Sequence, residues 1–133
     1  MRYSDFKKKI FMQCLLIFLI CCSIKRVEID KLKGYWEIEL IYQDGEKFIP
    51  KDSQSIFDHY QIQYPNGLLN KVTFEPNDSF KTSKDMIFFE IEKNSTKYYI
   101  NYKSKWDQWK SRIIFLDSQK LILEIRNRTF HYK

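Results

Sequence analysis

The fold is decided by residues 34–45, which read GYWEIELIYQDG. Apolar Trp36, Ile38 and Leu40 alternate there with two glutamates, and this period of two is typical of a β-strand with one buried face. The stretch ends in an Asp-Gly pair, a strong hairpin signal, because glycine accepts the positive φ that such turns require. These residues therefore predict a strand that turns back on itself.

The same alternation recurs along the rest of the chain, and polar turn residues separate the runs. The predicted inward-facing residues are Tyr60, Ile62 and Tyr64; Val72 and Phe74; Phe89 and Ile91; Tyr98, Ile100 and Tyr102; Trp109, Ser111, Ile113 and Phe115; Leu121, Leu123 and Ile125; and Phe130 and Tyr132. About eight short strands at regular spacing favour an all-β fold, a small antiparallel up-and-down β-barrel. Because many of these residues are aromatic, we expect the interior to be partly filled.

Residues 1–21 have the layout of a signal peptide. Arg2 and the lysines at 7–9 precede an apolar run over residues 10–22, which only Gln13 interrupts. The run falls short of the roughly 18 apolar residues of a comfortable membrane span. A basic segment followed by an apolar run of this length is typical of an export signal. A buried helix or an uncleaved membrane anchor is the alternative.

The end of this segment, Leu19-Ile20-Cys21-Cys22, resembles the lipobox of bacterial lipoproteins. Cys22 is the predicted lipid acceptor, since bulky Ile20 would stand directly before Cys21. Residues 23–133 contain no further cysteine, and acylation would remove an otherwise unpaired thiol from an oxidising compartment. It would also supply the several acyl chains that stable anchoring needs. A plain transmembrane anchor or an unmodified cysteine remains the alternative.

The chain of 133 residues is long enough for one domain. The predicted organisation is a lipoprotein-type signal peptide at 1–21, a charged tether at 22–33 and a barrel domain at 34–133. This layout predicts a lipoprotein anchored to a membrane of the cell envelope, facing the periplasm or in the outer membrane. A turn of helix in the tether is expected to pack against the domain.

The charge distribution argues against a nucleic-acid partner. The whole chain has a formal net charge of +6, but the signal peptide holds four basic residues and one acidic residue. Residues 22–133 keep 19 basic and 16 acidic residues, a net charge of +3, and these are interspersed along the chain. A nucleic-acid surface needs a concentrated basic patch.

Residues 31–39, KLKGYWEIE, resemble the opening Gly-x-Trp strand of lipocalins and, more specifically, of the short lipocalin-like lipoproteins of Bacteroidetes-type bacteria. The similarity continues through short segments at 44–45, 56–60, 109–110, 121–123 and 130–133. It covers nearly all of residues 31–133. The resemblance implies an up-and-down β-barrel on an envelope lipoprotein, and it implies no catalytic residues.

Two functions fit this sequence. In the first, the barrel binds a small hydrophobic molecule among inward-facing residues, namely Trp36, Ile38, Leu40, Phe89, Ile100 and Trp109. Trp36 has a simpler interpretation as a plug at one end of the barrel. In the second, a filled barrel is a non-catalytic scaffold that presents its loops to an envelope protein. Trp106, which stands among charged residues, is then the predicted exposed contact.

Catalytic and metal chemistry find no support in the sequence. His59 and His131 are the only histidines, and neither has carboxylates at ligand spacing. The chain has no serine in a nucleophile-elbow context and no glycine-rich phosphate loop. We therefore expect no enzyme activity, no cofactor and no metal site.

Overall fold

The computed structural model describes residues 2–20, 26–50 and 56–133. An α-helix, α1, covers Arg2–Ile20, and a short 3₁₀ helix covers Ile29–Lys31. The described residues also hold ten strands: β1 Gly34–Gln43, β2 Glu46–Phe48, β3 Ile56–Gln63, β4 Asn66–Phe74, β5 Phe80–Thr82, β6 Ile87–Asn94, β7 Lys97–Lys103, β8 Gln108–Leu116, β9 Leu121–Ile125 and β10 Arg128–Tyr132. Cys22 and the other residues at 21–25 lie outside the described residues.

Eight of the strands close into an antiparallel barrel, which confirms the predicted fold class. Their order is β1, β3, β4, β6, β7, β8, β9 and β10, and β10 pairs with β1 to complete the circle. The predicted Asp-Gly turn is present between β1 and β2, where Asp44 and Gly45 have φ values of 51° and 77°. Closure removes the sheet edges that an open meander would expose.

β2 and β5 do not complete the barrel wall. β2 pairs with the second half of β1, whereas β3 pairs with its first half at Gly34–Glu37. In the same way β5 pairs with Val72–Phe74 of β4, whereas β6 pairs with Asn66–Leu69. Towards one end of the barrel, β1 therefore separates from β3, and β4 separates from β6. We call this the open end; the turns at 44–45, 75–79, 104–107 and 126–127 surround it.

The opposite end, the closed end, is sealed by the segment that precedes β1. Leu32 is fully buried there, and Val27 and Ile29 pack against the same core. The indole Nε1 of Trp36 donates a hydrogen bond of 2.9 Å to the carbonyl oxygen of Leu32. The described part of the tether therefore belongs to the folded domain.

The core fills the closed end of the barrel and the side that β6, β7, β8 and β9 form. Its buried apolar residues are Leu32, Trp36, Tyr60, Leu69, Phe89, Ile91, Ile100, Tyr102, Ile113, Leu116, Leu121 and Leu123. Phe89 packs directly over Gly67, its partner across the β4–β6 pairing, where a side chain would collide with the ring. These large side chains occupy the interior beside those strands.

Two β-bulges change the predicted inward set. Between Ile38 and Leu40 the register with β10 shifts, so that Ile41 pairs with inward-facing Phe130 and Leu40 pairs with His131. Paired residues share a face, so Ile41 rather than the predicted Leu40 faces the interior. A second bulge, between Ile113 and Phe115, places Leu116 in the core in the same way. Strict alternation fails where the extra residue is inserted.

Candidate ligand-binding site

A cavity of about 1170 Å³ opens at the open end of the barrel. We call it the cup. Its lining residues are Ile38, Ile41, Pro50, Ile56, Asp58, Lys71, Thr73, Phe74, Glu75, Pro76, Lys81, Thr82, Ser83, Phe130 and Tyr132. The cup exists because β1 and β3, and likewise β4 and β6, pair over only part of their lengths.

The two sides of the cup differ in chemistry. β1 and β10 contribute an apolar wall of Ile38, Ile41 and Phe130. β4 and β5 contribute a polar wall that includes Lys71 and Lys81. Such a cavity suits a molecule that has an apolar body and a polar edge, because each side then meets surface of its own kind.

An ion pair lies at the floor of the cup. Lys71 of β4 donates to Oδ1 of Asp58, its direct partner on β3. The Asp58 side chain is only 7% exposed, whereas that of Lys71 is 51% exposed and reaches into the cup. A buried carboxylate needs a cation or hydrogen-bond donors to offset its lost hydration. Lys71 supplies this compensation.

Below the ion pair, three buried hydroxyl groups form a chain. The hydroxyl oxygens of Tyr60 and Tyr102 lie 3.0 Å apart, and Ser111 Oγ donates to the Tyr102 hydroxyl over 3.3 Å. Burial raises the pKa of Tyr102 to about 12. Burial also raises the pKa of Tyr60 and of Tyr132, and the nearby Asp58 carboxylate adds to both effects. These phenols therefore stay neutral; Tyr132 lines the cup, and Tyr60 and Tyr102 lie beneath it.

The structure brings few of the predicted interior residues to the cup. Ile38 lines it, and Leu40 lies on the other face of β1. Phe89 and Ile100 belong to the buried core and do not line the cup. Trp109 is half-buried and stacks on the Tyr102 ring with 5.1 Å between ring centroids. Trp36, held at the closed end by its hydrogen bond to Leu32, occupies the position of a plug.

The sequence did not predict Ile41, Asp58 or Lys71 as residues of the cup, and it predicted Tyr132 to face inward without naming it as a ligand-binding residue. Asp58 has the same parity along β3 as Tyr60, which alternation places inward, so its position could have been read from the sequence. His59 lies on the outer face, stacked on Tyr35 with 4.2 Å between ring centroids.

Trp106 is 82% exposed, as the sequence predicted. It lies in the turn between β7 and β8 at the open end, and the Lys105 ammonium is 5.0 Å from its ring centroid. Ser104 Oγ accepts hydrogen bonds from the backbone N–H groups of Trp106 and Asp107 and fixes this turn. Further apolar side chains near this end are exposed, namely Phe48, Ile49, Ile56, Phe74, Phe80 and Met86.

Within residues 2–20, 26–50 and 56–133, no three His, Cys, Asp or Glu side chains are grouped to hold a metal ion. No helix in that part of the chain combines the length and apolar character needed to cross a membrane.

The strand order and the closure of β10 on β1 define a small up-and-down antiparallel β-barrel of eight strands. A comparison with solved structures finds a lipocalin-like protein from Bacteroides uniformis, with 16% sequence identity and a TM-score of 0.48, over 77% of this chain and 97% of that chain. No protein-family model matches the chain, and no curated protein matches it.

Proposed function

We propose that this chain is a non-catalytic lipoprotein of the cell envelope whose barrel binds a small hydrophobic molecule in the cup. The observation that carries the proposal is the cavity of about 1170 Å³ with its apolar wall of Ile38, Ile41 and Phe130. Small-molecule sites commonly measure roughly 300–1,000 Å³, so the cup has room for a molecule of lipid size.

The polar wall narrows the class of ligand. Lys71 is already paired with Asp58, whereas Lys81 lines the cup and takes part in neither of the two ion pairs found in the described part of the chain. A ligand with a weakly polar or anionic group at one edge would place that group beside Lys81. Its apolar body would lie against β1 and β10. We therefore propose an amphipathic ligand.

The binding experiment uses the neutral fluorescent probe N-phenyl-1-naphthylamine with the full chain in a mild detergent. Thr73→Trp should abolish probe binding, because Thr73 lines the cup and is directly opposite Ile56. Thr129→Trp is the matched control, since Thr129 lies on β10 opposite outward-facing Tyr42. Native mass spectrometry of the protein from producing cells would report a copurified ligand. Equal probe binding by the two variants would contradict a site in the cup.

The lipid anchor is proposed on the sequence around Cys22, which lies outside the described residues. Cys22→Ser should abolish incorporation of an alkyne-labelled palmitate in cells, whereas Cys21→Ser should retain the label. Cell fractionation should then find the first variant released from, or only weakly held at, the membrane. A Cys22→Ser protein that stays labelled and fully membrane-bound would show that another residue or the apolar segment is the anchor.

A second candidate function, presentation of loops to an envelope protein, is favoured by the 82% exposure of Trp106. A photo-crosslinking amino acid at position 106 would test it in cells. Trp106→Ser separates the two functions. If Trp106 contacts a partner protein, this variant keeps probe binding in the cup and no longer associates with the crosslinked partner. A loss of probe binding would instead assign Trp106 to the cup.

A further inference from the structure

A second cavity, of about 540 Å³, lies at the closed end of the barrel, away from the cup. Its lining residues are Arg26, Val27, Lys93, Ser95, Thr96, Lys97, Tyr98, Arg112, Ile113 and Ile114. It forms where the chain segment before β1 meets the β6–β7 hairpin and the end of β8. We call it the basic cavity.

Four cationic side chains line the basic cavity, and none of its lining residues is acidic. Two carboxylates on these and neighbouring strands, Glu92 and Glu124, lie outside the lining of the cavity. Glu92 is held 2.9 Å from Lys110 Nζ, and Asn101 donates to the same oxygen. Glu124 is opposite Arg112 in the β8–β9 register, yet the two ion pairs of the described residues do not include either of them. The lining of the basic cavity therefore carries a net positive charge that can attract an anion.

Backbone contacts and one cation–ring contact define the surroundings of the basic cavity. The β6–β7 hairpin turns tightly over Ser95 and Thr96, and Ser95 has a φ of 57°. Lys93 Nζ lies 5.4 Å from the ring centroid of Tyr98. Arg26 is fixed through its carbonyl oxygen, which accepts a 2.8 Å hydrogen bond from the Leu116 N–H. Cationic side chains beside two hydroxyl groups can bind an oxyanion through charge-assisted hydrogen bonds.

We propose that the basic cavity binds the phosphate group of an anionic phospholipid. A phosphate oxyanion matches the guanidinium groups of Arg26 and Arg112, the lysine ammonium groups and the hydroxyls of Ser95 and Thr96 in charge and in hydrogen-bonding capacity. The choice of a lipid phosphate over a free one rests on the proposed lipid anchor. Arg26 is four residues after Cys22, a span of at most about 14 Å of extended chain. Basic clusters so close to a membrane bind anionic headgroups.

The test uses the full chain in a non-ionic detergent and two soluble probes, dihexanoyl phosphatidylglycerol and inorganic phosphate, each titrated at constant ionic strength. Binding is followed by calorimetry and by the amide NMR shifts of Ser95 and Thr96. The Lys97→Gln/Arg112→Gln variant should bind the phospholipid at least about tenfold more weakly, because it removes two of the four cations that line the cavity.

The matched control is Lys84→Gln/Lys103→Gln, which removes the same charge away from the basic cavity and should bind like the parent chain. Equal weakening in both double variants, or no binding of either probe to the parent chain, would overturn the site. Inorganic phosphate that binds as tightly as the phospholipid would overturn its assignment to lipid. Because both probes are soluble, these results do not depend on Cys22, and failure here is distinguishable from failure of the anchor or of the cup.

Discussion

At the scale of single residues, Asp58 and Lys71 link the stability of the barrel to the shape of the cup. The Asp58 carboxylate is buried, and Lys71 is the cation placed against it. Removing one partner of such a pair costs more than removing both, because the remaining charge keeps its desolvation penalty. The two residues can therefore be replaced together more easily than singly, and the pair also gives the bottom of the cup a polar surface.

Lys71→Met should lower the free energy of unfolding by about 2 kcal/mol, because it leaves Asp58 buried without its cation. Asp58→Asn combined with Lys71→Met should recover part of that loss. Urea denaturation provides the measurement. Lys110→Met is the control, since it removes an ion pair to Glu92 in which both side chains are about half exposed. Equal losses of stability in the two lysine variants would show that burial of Asp58 does not make its ion pair with Lys71 more important than the exposed pair.

The buried tyrosines give a prediction for alkaline pH. Burial raises the pKa of Tyr102 from 10.0 to about 12 in the folded protein. The folded state therefore holds this proton more tightly than the unfolded chain, and its contribution to stability is complete below pH 10. That contribution is lost as the pH rises from 10 to about 12, and the raised pKa values of Tyr60 and Tyr132 act in the same direction.

We expect urea midpoints to fall steeply above pH 10, and tyrosinate absorbance of the buried phenols to appear together with unfolding. Tyr102→Phe should flatten this pH dependence, whereas Tyr35→Phe, which removes an exposed phenol, should leave it unchanged. Ionisation of the buried phenols in a chain that remains folded would contradict their role as neutral groups below the cup.

At the scale of the elements, the pairing of β4 with β6 depends on the absence of a side chain at Gly67. A Cβ there would overlap the Phe89 ring and lie 2.6 Å from the carbonyl oxygen of Gln61. Gly67→Ala should therefore destabilise the barrel by about 2 kcal/mol, since overpacking displaces side chains and backbone. Phe89→Leu in the same chain should restore part of the loss. Asn66→Ala, at an exposed neighbouring position, is the control in the same urea experiment.

The strands also show how far the sequence pattern can be followed. Alternation placed Phe89, Ile91, Ile100 and Tyr102 inward, and all four are buried. It failed at Leu40, because the bulge after Ile38 is set by pairing with β10, some ninety residues further along the chain. A local pattern contains no information about such a distant register.

At the scale of the whole molecule, the sequence predicted an up-and-down barrel of about eight strands, and the structure confirms it, with β2 and β5 as two additional strands. The cup could not be predicted in the same way. It arises because β2 and β5 leave the wall, so that β1 pairs with β3, and β4 with β6, over part of their lengths. Hydrophobic periodicity reports which side of a strand is buried, and it does not report where two strands part.

The position at which the chain enters the barrel bears on the direction from which a ligand would reach the cup. Arg26 and Val27 join the domain beside Leu116, at the end opposite the cup. If Cys22 carries the lipid that we propose, the membrane would lie on the side of the closed end, and the cup would open away from it. A ligand of the cup would then reach the barrel from the aqueous side and not directly from the bilayer that holds the anchor.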